Sequence, residues 1–269
     1  MRYRILHISD VHVGPPFRPA VAQALIAQAH DIKPDLLVIS GDFVQRADFA
    51  DQWRAAKELC AALPTPQLVV PGNHDVPLFN AHLRLLNPLG RYRHHISHNL
   101  NPIFEVPGLV VVGACTAHGL TVDGGRLSQR QISHLRGIFA CYGPETCKVV
   151  VWHHPVLTPF GIERNRTMSG ANAAVALLDE CNVELLLCGH VHVSYVGNTL
   201  DVAHDLRNGT IICQSGTSTS SRGHGREHGK NSCNLIEVED RAIHISQMIY
   251  TDDADRFVTI AEHIFPRRG

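Results

Sequence analysis

Residues 35–42 read Asp-Leu-Leu-Val-Ile-Ser-Gly-Asp. The apolar centre of this run does not alternate with polar residues. A strand of this kind is buried on both faces, as in a parallel sheet covered by helices on each side. The flanking segments fit that reading. Tyr3–Ile8 and Gln67–Pro71 are further short apolar strands. Pro19–Ile32 and Ala50–Leu63 carry helical spacing and stop against Pro34 and Pro64, as a missing N–H and a clashing ring require.

Further along, Pro77–Leu89 reads as a helix, Leu109–Cys115 as a strand, Ser128–Cys141 as a helix and Lys148–His153 as a strand. Ala171–Cys181 is a helix and Glu184–Cys188 a strand. Thr210–Gln214, Cys233–Val238, Ala242–Tyr250 and Phe257–Ile264 then follow as strand after strand, mixed or antiparallel. Neither repeat nor linker interrupts the pattern. The expected fold class is α/β, a layered sandwich with helices outside and sheets inside, in one domain over residues 1–269.

The composition is that of an ordinary globular chain, 44% hydrophobic and 18% charged. At 269 residues, roughly 75% of the unfolded surface can be buried, so no covalent staple is needed. A formal net charge of −1 without a basic tract argues against binding through a nucleic-acid backbone. The first residues carry no signal-peptide pattern, and no apolar run reaches bilayer length. The eight cysteines include no Cys-x-x-Cys pair and read as free thiols, most of them buried, in a cytoplasmic protein. A homo-oligomer is compatible with all of this.

The nineteen histidines stand out by position. Five apolar strands end in cation-binding residues: Asp10 and His12; Gly41-Asp42; Gly72-Asn73-His74-Asp75; His153-His154-Pro155; and Gly189-His190-Val191-His192. Sites in open α/β sheets form beyond the carboxyl ends of strands, so these ends can converge. Glycine before Asp42, Asn73 and His190 permits a sharp turn and close approach. Across the single residue between Asp10 and His12, and between His190 and His192, an extended chain would aim both members to one side. Carboxylate, amide and imidazole suit Mn, Fe or Zn rather than a thiolate-selective ion. Two ions about 3.5–4 Å apart stabilise both the attacking and the leaving oxygen of a phosphoryl displacement. Turn and cap residues alone would explain the Asp and Asn, not four histidines in one register.

These blocks resemble those of the calcineurin-like metallophosphoesterases, with the closest likeness to the bacterial cyclic-nucleotide and glycerophosphodiester phosphodiesterase branch. The motifs run from Ile5 to His192, and the likeness is looser from Val193 onward. The resemblance implies an α/β/β/α sandwich with two central mixed sheets and a centre of two Mn, Fe or Zn ions. Asp10, His12, Asp42 and His192 would hold one ion. Asp42, Asn73, His153 and His190 would hold the other, with Asp42 bridging. His74 would act on the leaving oxygen, and a hydroxide bridging the ions would attack phosphorus in line. The implied substrate is a small phosphodiester such as a cyclic nucleotide or glycerophosphodiester. The rivals are a phosphomonoesterase, a nuclease of the same superfamily, or a catalytically silent metal-binding relative.

The protein phosphatase branch carries Gly-Asp-x-x-Asp-Arg-Gly, whereas this chain has Gln45 at the second carboxylate. That leaves His74 without its usual partner for stabilising an imidazolium. Arg46 matches that branch's phosphate-contacting arginine. His154 is a candidate for substrate contact or ligand support. Asp75 is expected to cap the helix beginning near Pro77. Arg91–His98 is expected as a solvated connection, with a substrate-side rim for an anionic ligand as the rival reading. Gly216–Asn231, with Arg222 and His224, reads as a polar surface loop or a pocket rim.

Overall fold

The computed structural model describes residues 2–158, 167–203 and 205–268. Its first sheet contains β1 (Arg2–Ile8), β2 (Leu36–Ile39), β3 (Gln67–Val69), β10 (Ser232–Glu239), β11 (Ala242–Thr251) and β12 (Arg256–Pro266), in the order β12-β11-β10-β1-β2-β3. The second contains β4 (Ile103–Val106), β5 (Leu109–Gly113), β6 (Cys147–Val151), β7 (Leu185–Cys188), β8 (Tyr195–Asn198) and β9 (Ile211–Gln214), in the order β4-β5-β6-β7-β9-β8. Both sheets are mixed. β1, β2 and β3 run parallel, as do β5, β6, β7 and β9, while β4, β8 and β10–β12 pair antiparallel.

The apolar runs are continuous because alternate residues serve different layers. Ile5, Leu36 and Val38 meet Val111, Val149 and Leu185 between the two sheets. Leu6, Leu37 and Ile39 face outward onto α1 (Pro19–Ile32) and α2 (Ala50–Ala62). Val110, Val150 and Leu186 face α5 (Gln129–Phe139) and α6 (Ala171–Glu180) on the opposite side. The layering is therefore α/β/β/α. A side chain left out of either face would expose one of these cores, so register is strongly fixed. Local signals agree: α1 starts with Pro19 in its first turn, and Ser128 and Gln131 form a capping box on α5.

The structure departs from the sequence expectation at the 77–98 stretch. Only Ala81–Leu86 (α3) is helical in the first part. The Asp48 carboxylate accepts the N–H groups of Leu78, Phe79 and Asn80 at 2.7, 3.2 and 3.0 Å, holding that turn in a non-helical path. The Arg91–His98 connection instead contains α4 (Gly90–His95), whose Tyr92 is buried against Phe43. Two antiparallel edge strands, β4 and β8, lie outside the expected set. All eight cysteines are free, six of them buried. Among the described residues, no helix is long and apolar enough to cross a membrane.

Candidate metal centre

Parallel register brings the carboxyl ends of β1, β2 and β3 to the same edge as those of β6 and β7. Ile8 pairs with Ile39, Ile39 with Val69, and Val151 with Leu187. The loops leaving these ends are not extended. Asp10, His12, Asp42, His190 and His192 adopt φ values of 52°, 49°, 57°, 77° and 57°. Left-handed backbone is uncommon for residues with a Cβ and clusters at functional sites. Asp10 and His12, like His190 and His192, do converge, but through consecutive tight turns rather than through the alternation of an extended chain. That expectation is corrected here.

Close approach explains two of the glycines. A Cβ on Gly72 would lie 2.1 Å from Asp42 Oδ1, and one on Gly189 would lie 1.9 Å from Ser9 Oγ and 2.4 Å from Asp10 Oδ2.

The polar side chains meet at two adjoining points. At the first, His192 Nε2 is 3.1 Å from Asp10 Oδ1 and 2.9 Å from His12 Nε2, and His12 Nε2 is 3.6 Å from Asp42 Oδ2. At the second, Asn73 Oδ1 is 3.1 Å from His153 Nε2 and 3.0 Å from His190 Nδ1, and His153 Nε2 is 3.3 Å from Asp42 Oδ2. Donor atoms around a shared ion at about 2.1 Å stand about 3.0 Å apart in octahedral and about 3.4 Å apart in tetrahedral geometry. Both points have that spacing.

Asp42 links them. Its Oδ1 accepts the His74 N–H at 2.8 Å, while Oδ2 is buried without a hydrogen bond, as is Asp10 Oδ1. Bare buried carboxylate oxygens are costly unless a cation faces them. The donor set, three oxygens and four imidazole nitrogens, therefore fits a pair of borderline cations.

The histidines are pre-oriented from behind. His153 Nδ1–H donates to the Ser40 carbonyl at 2.7 Å and His192 Nδ1–H to the Arg222 carbonyl at 3.1 Å, leaving each Nε2 free to bind. Burial pushes His12 and His190 down to about 3, so both imidazoles are neutral. For His153 burial acts the same way, but the Asp42 carboxylate outweighs it and lifts this imidazole to about 9. A cation at the second point competes directly with that proton. Asp10 and Asp42 are held well below the usual carboxylate range: burial opposes ionisation, and the surrounding histidines overcome it.

Asp75 does not cap a helix beginning near Pro77; it closes the 3-10 turn Asn73–Asp75 by accepting the N–H of Gly72, the residue that precedes the turn. It is fully buried and cross-braces two loops, accepting N–H groups of Phe43 and Val44 at Oδ1 and of Asp42 and Gly72 at Oδ2. Burial and then the Asp42 carboxylate push its carboxyl up to about 8, with the N–H donors pulling the other way.

His74 lies beside the centre. Its Nδ1 is 2.8 Å from the Gln45 carbonyl, which also accepts from Arg46 at 2.8 Å. Nδ1 is also 2.9 Å from Arg46 Nη1, which can only donate, so this nitrogen sits between an acceptor and a donor and its proton is set by the tautomer. The backbone carbonyl of Gln45, not its side chain, is the oxygen that faces His74 Nδ1. Burial is the main cause of a lowered His74 pKa.

A cavity of about 130 Å³ opens next to it, lined by Arg46, Asn73, His74, Leu78, Asp123 and Arg222 among others. Arg46 thus lines this cavity. His154 does not: it is 1% exposed, its ring lies tilted 4.7 Å from that of His190, its Nδ1 is 2.8 Å from the Thr116 hydroxyl, and its Nε2 is buried without a hydrogen bond in a group with His153 and His190 that could hold an ion.

Sequence reasoning left the role of Gly216–Asn231 open. Thr217–Ser220 are buried and wrap the first ligand turn, with Thr217 and Thr219 hydroxyls donating to the carbonyls of Asp10 (2.6 Å) and Val11 (2.9 Å). The buried Glu227 fixes the far end of the segment by accepting Ser194 N–H at 2.8 Å and Ser232 Oγ–H at 2.7 Å. The signal was present: this segment follows β9, another parallel strand ending on the same edge.

Comparison with known proteins places this architecture. The chain is 23% identical over 257 residues to a probable cyclic nucleotide phosphodiesterase of Rhodococcus erythropolis, covering 90% of this chain and 82% of that protein. It is 27% identical over 165 residues to the glycerophosphodiester phosphodiesterase GpdQ of Enterobacter lignolyticus, covering 60% of this chain and 56% of that one.

The fold matches a dimetal phosphatase from Danio rerio with a TM-score of 0.70 at 11% identity, over 98% of this chain and 99% of that one. It also matches the purple acid phosphatase PPD1 of yellow lupin with a TM-score of 0.71 at 14% identity, covering 99% of this chain but only 54% of that enzyme. The calcineurin-like phosphoesterase profile matches residues 3–194. With that profile spanning most of its length, the chain belongs to the calcineurin-like phosphoesterase family.

Proposed function

We propose that this chain is a two-metal hydrolase of small phosphodiesters, built as one catalytic domain over residues 1–269. The observation that carries the reading is Asp42 Oδ2, buried without a hydrogen bond and shared between the two groups of donor atoms. Asp10, His12, Asp42 and His192 would hold one ion, and Asp42, Asn73, His153 and His190 the other. When bound, the ions supply Lewis acidity to the phosphoryl group and lower the pKa of water.

The chain's own residues do the rest. The Gln45 carbonyl and Arg46 hold the His74 ring at Nδ1, and Nε2 would be the nitrogen that serves a ligand in the cavity. An anionic phosphoryl group beside that ring raises its proton affinity. Nε2 then donates its proton to the leaving oxygen. Arg46 binds a phosphoryl oxygen. His154, sealed behind His190, has a packing and positioning role rather than one in substrate contact.

The preference for a diester such as a cyclic nucleotide or glycerophosphodiester is supported by the two curated relatives. A cytoplasmic setting fits the free thiols.

The test is metal analysis of the Mn-, Fe- or Zn-loaded chain together with hydrolysis of an aryl phosphate diester and monoester. The expected result is about two ions per chain and turnover of the diester, both lost in Asp42→Asn. Retained activity in that variant at unchanged metal content would remove Asp42 as the bridge. Two bound ions with neither ester hydrolysed would favour a silent relative.

A further inference from the structure

We propose that Arg222 is a second substrate-binding cation, which Gln45 holds against the phosphoryl group without neutralising it. This rests on the proposed function for the identity of the ligand, a phosphate ester. It does not depend on turnover.

Arg222 reaches the cavity from the segment that follows β9. Its backbone carbonyl accepts His192 Nδ1–H at 3.1 Å, which ties it to a candidate ligand. Its guanidinium donates to Gln45 Oε1 at 3.0 Å and lines the same cavity as Arg46, Asn73 and His74. Gln45 therefore gathers two cations: its backbone oxygen accepts from Arg46, and its side-chain oxygen accepts from Arg222. Among the described residues, neither arginine forms a salt bridge with a carboxylate.

Arg46 and Arg222 repel each other, while Asp42, Asp10 and Asp123 attract Arg222 without forming an ion pair with it. Each keeps unused N–H donors suited to phosphoryl oxygens. The amide at position 45 matters for the same reason. A carboxylate there would pair with Arg222 and cancel the charge, whereas the amide orients the guanidinium and leaves its charge available. The departure from the protein phosphatase pattern at Gln45 thus has a use on this chain. Any phosphoester or inorganic phosphate bound in the cavity meets both cations, and a dianion gains more from them than a monoanion does.

The test uses the full chain loaded with manganese, with inorganic phosphate as a binding probe and the two aryl phosphate esters as substrates. In Arg222→Gln, with metal content unchanged, the Kd for phosphate should rise roughly tenfold or more, the scale of a lost hydrogen bond to a charged group. KM should rise similarly for the monoanionic diester and more steeply for the dianionic monoester, with kcat changing less. Arg222→Lys should recover part of the loss, and Gln45→Glu should weaken phosphate as Arg222→Gln does.

Unchanged phosphate affinity in Arg222→Gln would overturn the assignment, as would a loss equal for monoester and diester that lysine does not relieve. If the wild-type chain binds phosphate but cleaves neither ester, the proposed function fails. Weaker phosphate binding in Arg222→Gln would still establish the cation site.

Discussion

Replacing Gly72 by alanine isolates the tight approach on which the shared carboxylate depends. Gly72 has φ −103° and ψ −175°, an extended backbone that any residue adopts, so the cost is steric alone. The new methyl would lie 2.1 Å from Asp42 Oδ1, 2.6 Å from Asp42 N and 2.8 Å from Asp42 Cγ. Two of those atoms belong to the carboxylate that would join the ions, and the third is backbone. Reaching even 3.0 Å requires a displacement of about 1 Å, several times the roughly 0.2 Å that metal–ligand distances tolerate.

Overpacking of this kind costs about 1–3 kcal/mol. Loss of the charged hydrogen bond from His74 N–H to Asp42 Oδ1 adds about 1.5–3 kcal/mol. The Gly72→Ala chain should therefore be about 2.5–6 kcal/mol less stable in urea unfolding without metal. It should bind manganese about 10–100-fold more weakly by calorimetry, the range seen when groups supporting a ligand are disturbed. Gly137→Ala is the control. That glycine sits inside α5, and its added methyl meets nothing within 4 Å. It should stabilise the chain by about 0.5–1 kcal/mol. A Gly72→Ala protein with wild-type metal affinity and stability within about 0.5 kcal/mol of the parent would refute the packing argument.

Three other outcomes follow from the same structure. Metal at 100 times its Kd should raise unfolding free energy by about 2.7 kcal/mol, with chelator reversing the gain in a thermal melt; a melting temperature indifferent to metal would count against the bare oxygens of Asp10 and Asp42 as ligands. His7, buried and bonded to Ser40, is lowered by burial to about 3 from 6.5. The unfolded chain therefore takes up its proton first, so the His7 contribution is intact above pH 6.5 and is lost as pH falls toward 3. Between pH 6.5 and 5 the loss is about 2 kcal/mol, and the slope of stability against pH in this window should be shallower in His7→Gln; an identical slope would exclude His7 as its source. Glu227→Ala leaves Ser194 N–H without its buried acceptor and should expose 216–231 to limited proteolysis while costing about 1–3 kcal/mol; a cleavage pattern like that of the parent would show that Thr217–Ser220 hold the segment unaided.

The sheets were legible because each strand is covered on both faces, which writes Leu36–Ile39 and its neighbours as unbroken apolar runs. The candidate ligands were legible because each follows such a run. The resemblance to the family then ordered them into two sets, and the structure brings Asp10, His12, Asp42 and His192 together at one point and Asn73, His153 and His190 at another. What sequence could not show was the path between them. Nothing in the letters Asp-Val-His indicates that Asp10 and His12 each turn left-handed, since that conformation is imposed by the surrounding loops rather than by local propensity.

Asp75 looked like a helix cap because its nearest sequence neighbours include a helix, but its actual partners are the N–H groups of residues 42–44 and 72. Asp48 likewise takes the backbone donors that a helix at Pro77 would have needed. Arg222 could be placed from sequence only in a surface loop or a pocket rim. It stands behind a strand end like the other blocks, yet its role depends on a contact with Gln45 across 177 positions of sequence.

The buried hydroxyls of Thr217 and Thr219 on the carbonyls of Asp10 and Val11 set an order of events during synthesis. A ribosome working from the amino end has made every candidate ligand by His192, but the turn that carries the first two is still unclasped. It closes only after β9 has been laid beside β7 and the polar segment has folded back over residue 10. A nascent chain halted near residue 194 would therefore display all the metal-binding letters while lacking the cradle, and would hold ions loosely. Any ions the chain takes up would on this reading be held firmly only once residues 217–220 have been made and folded back.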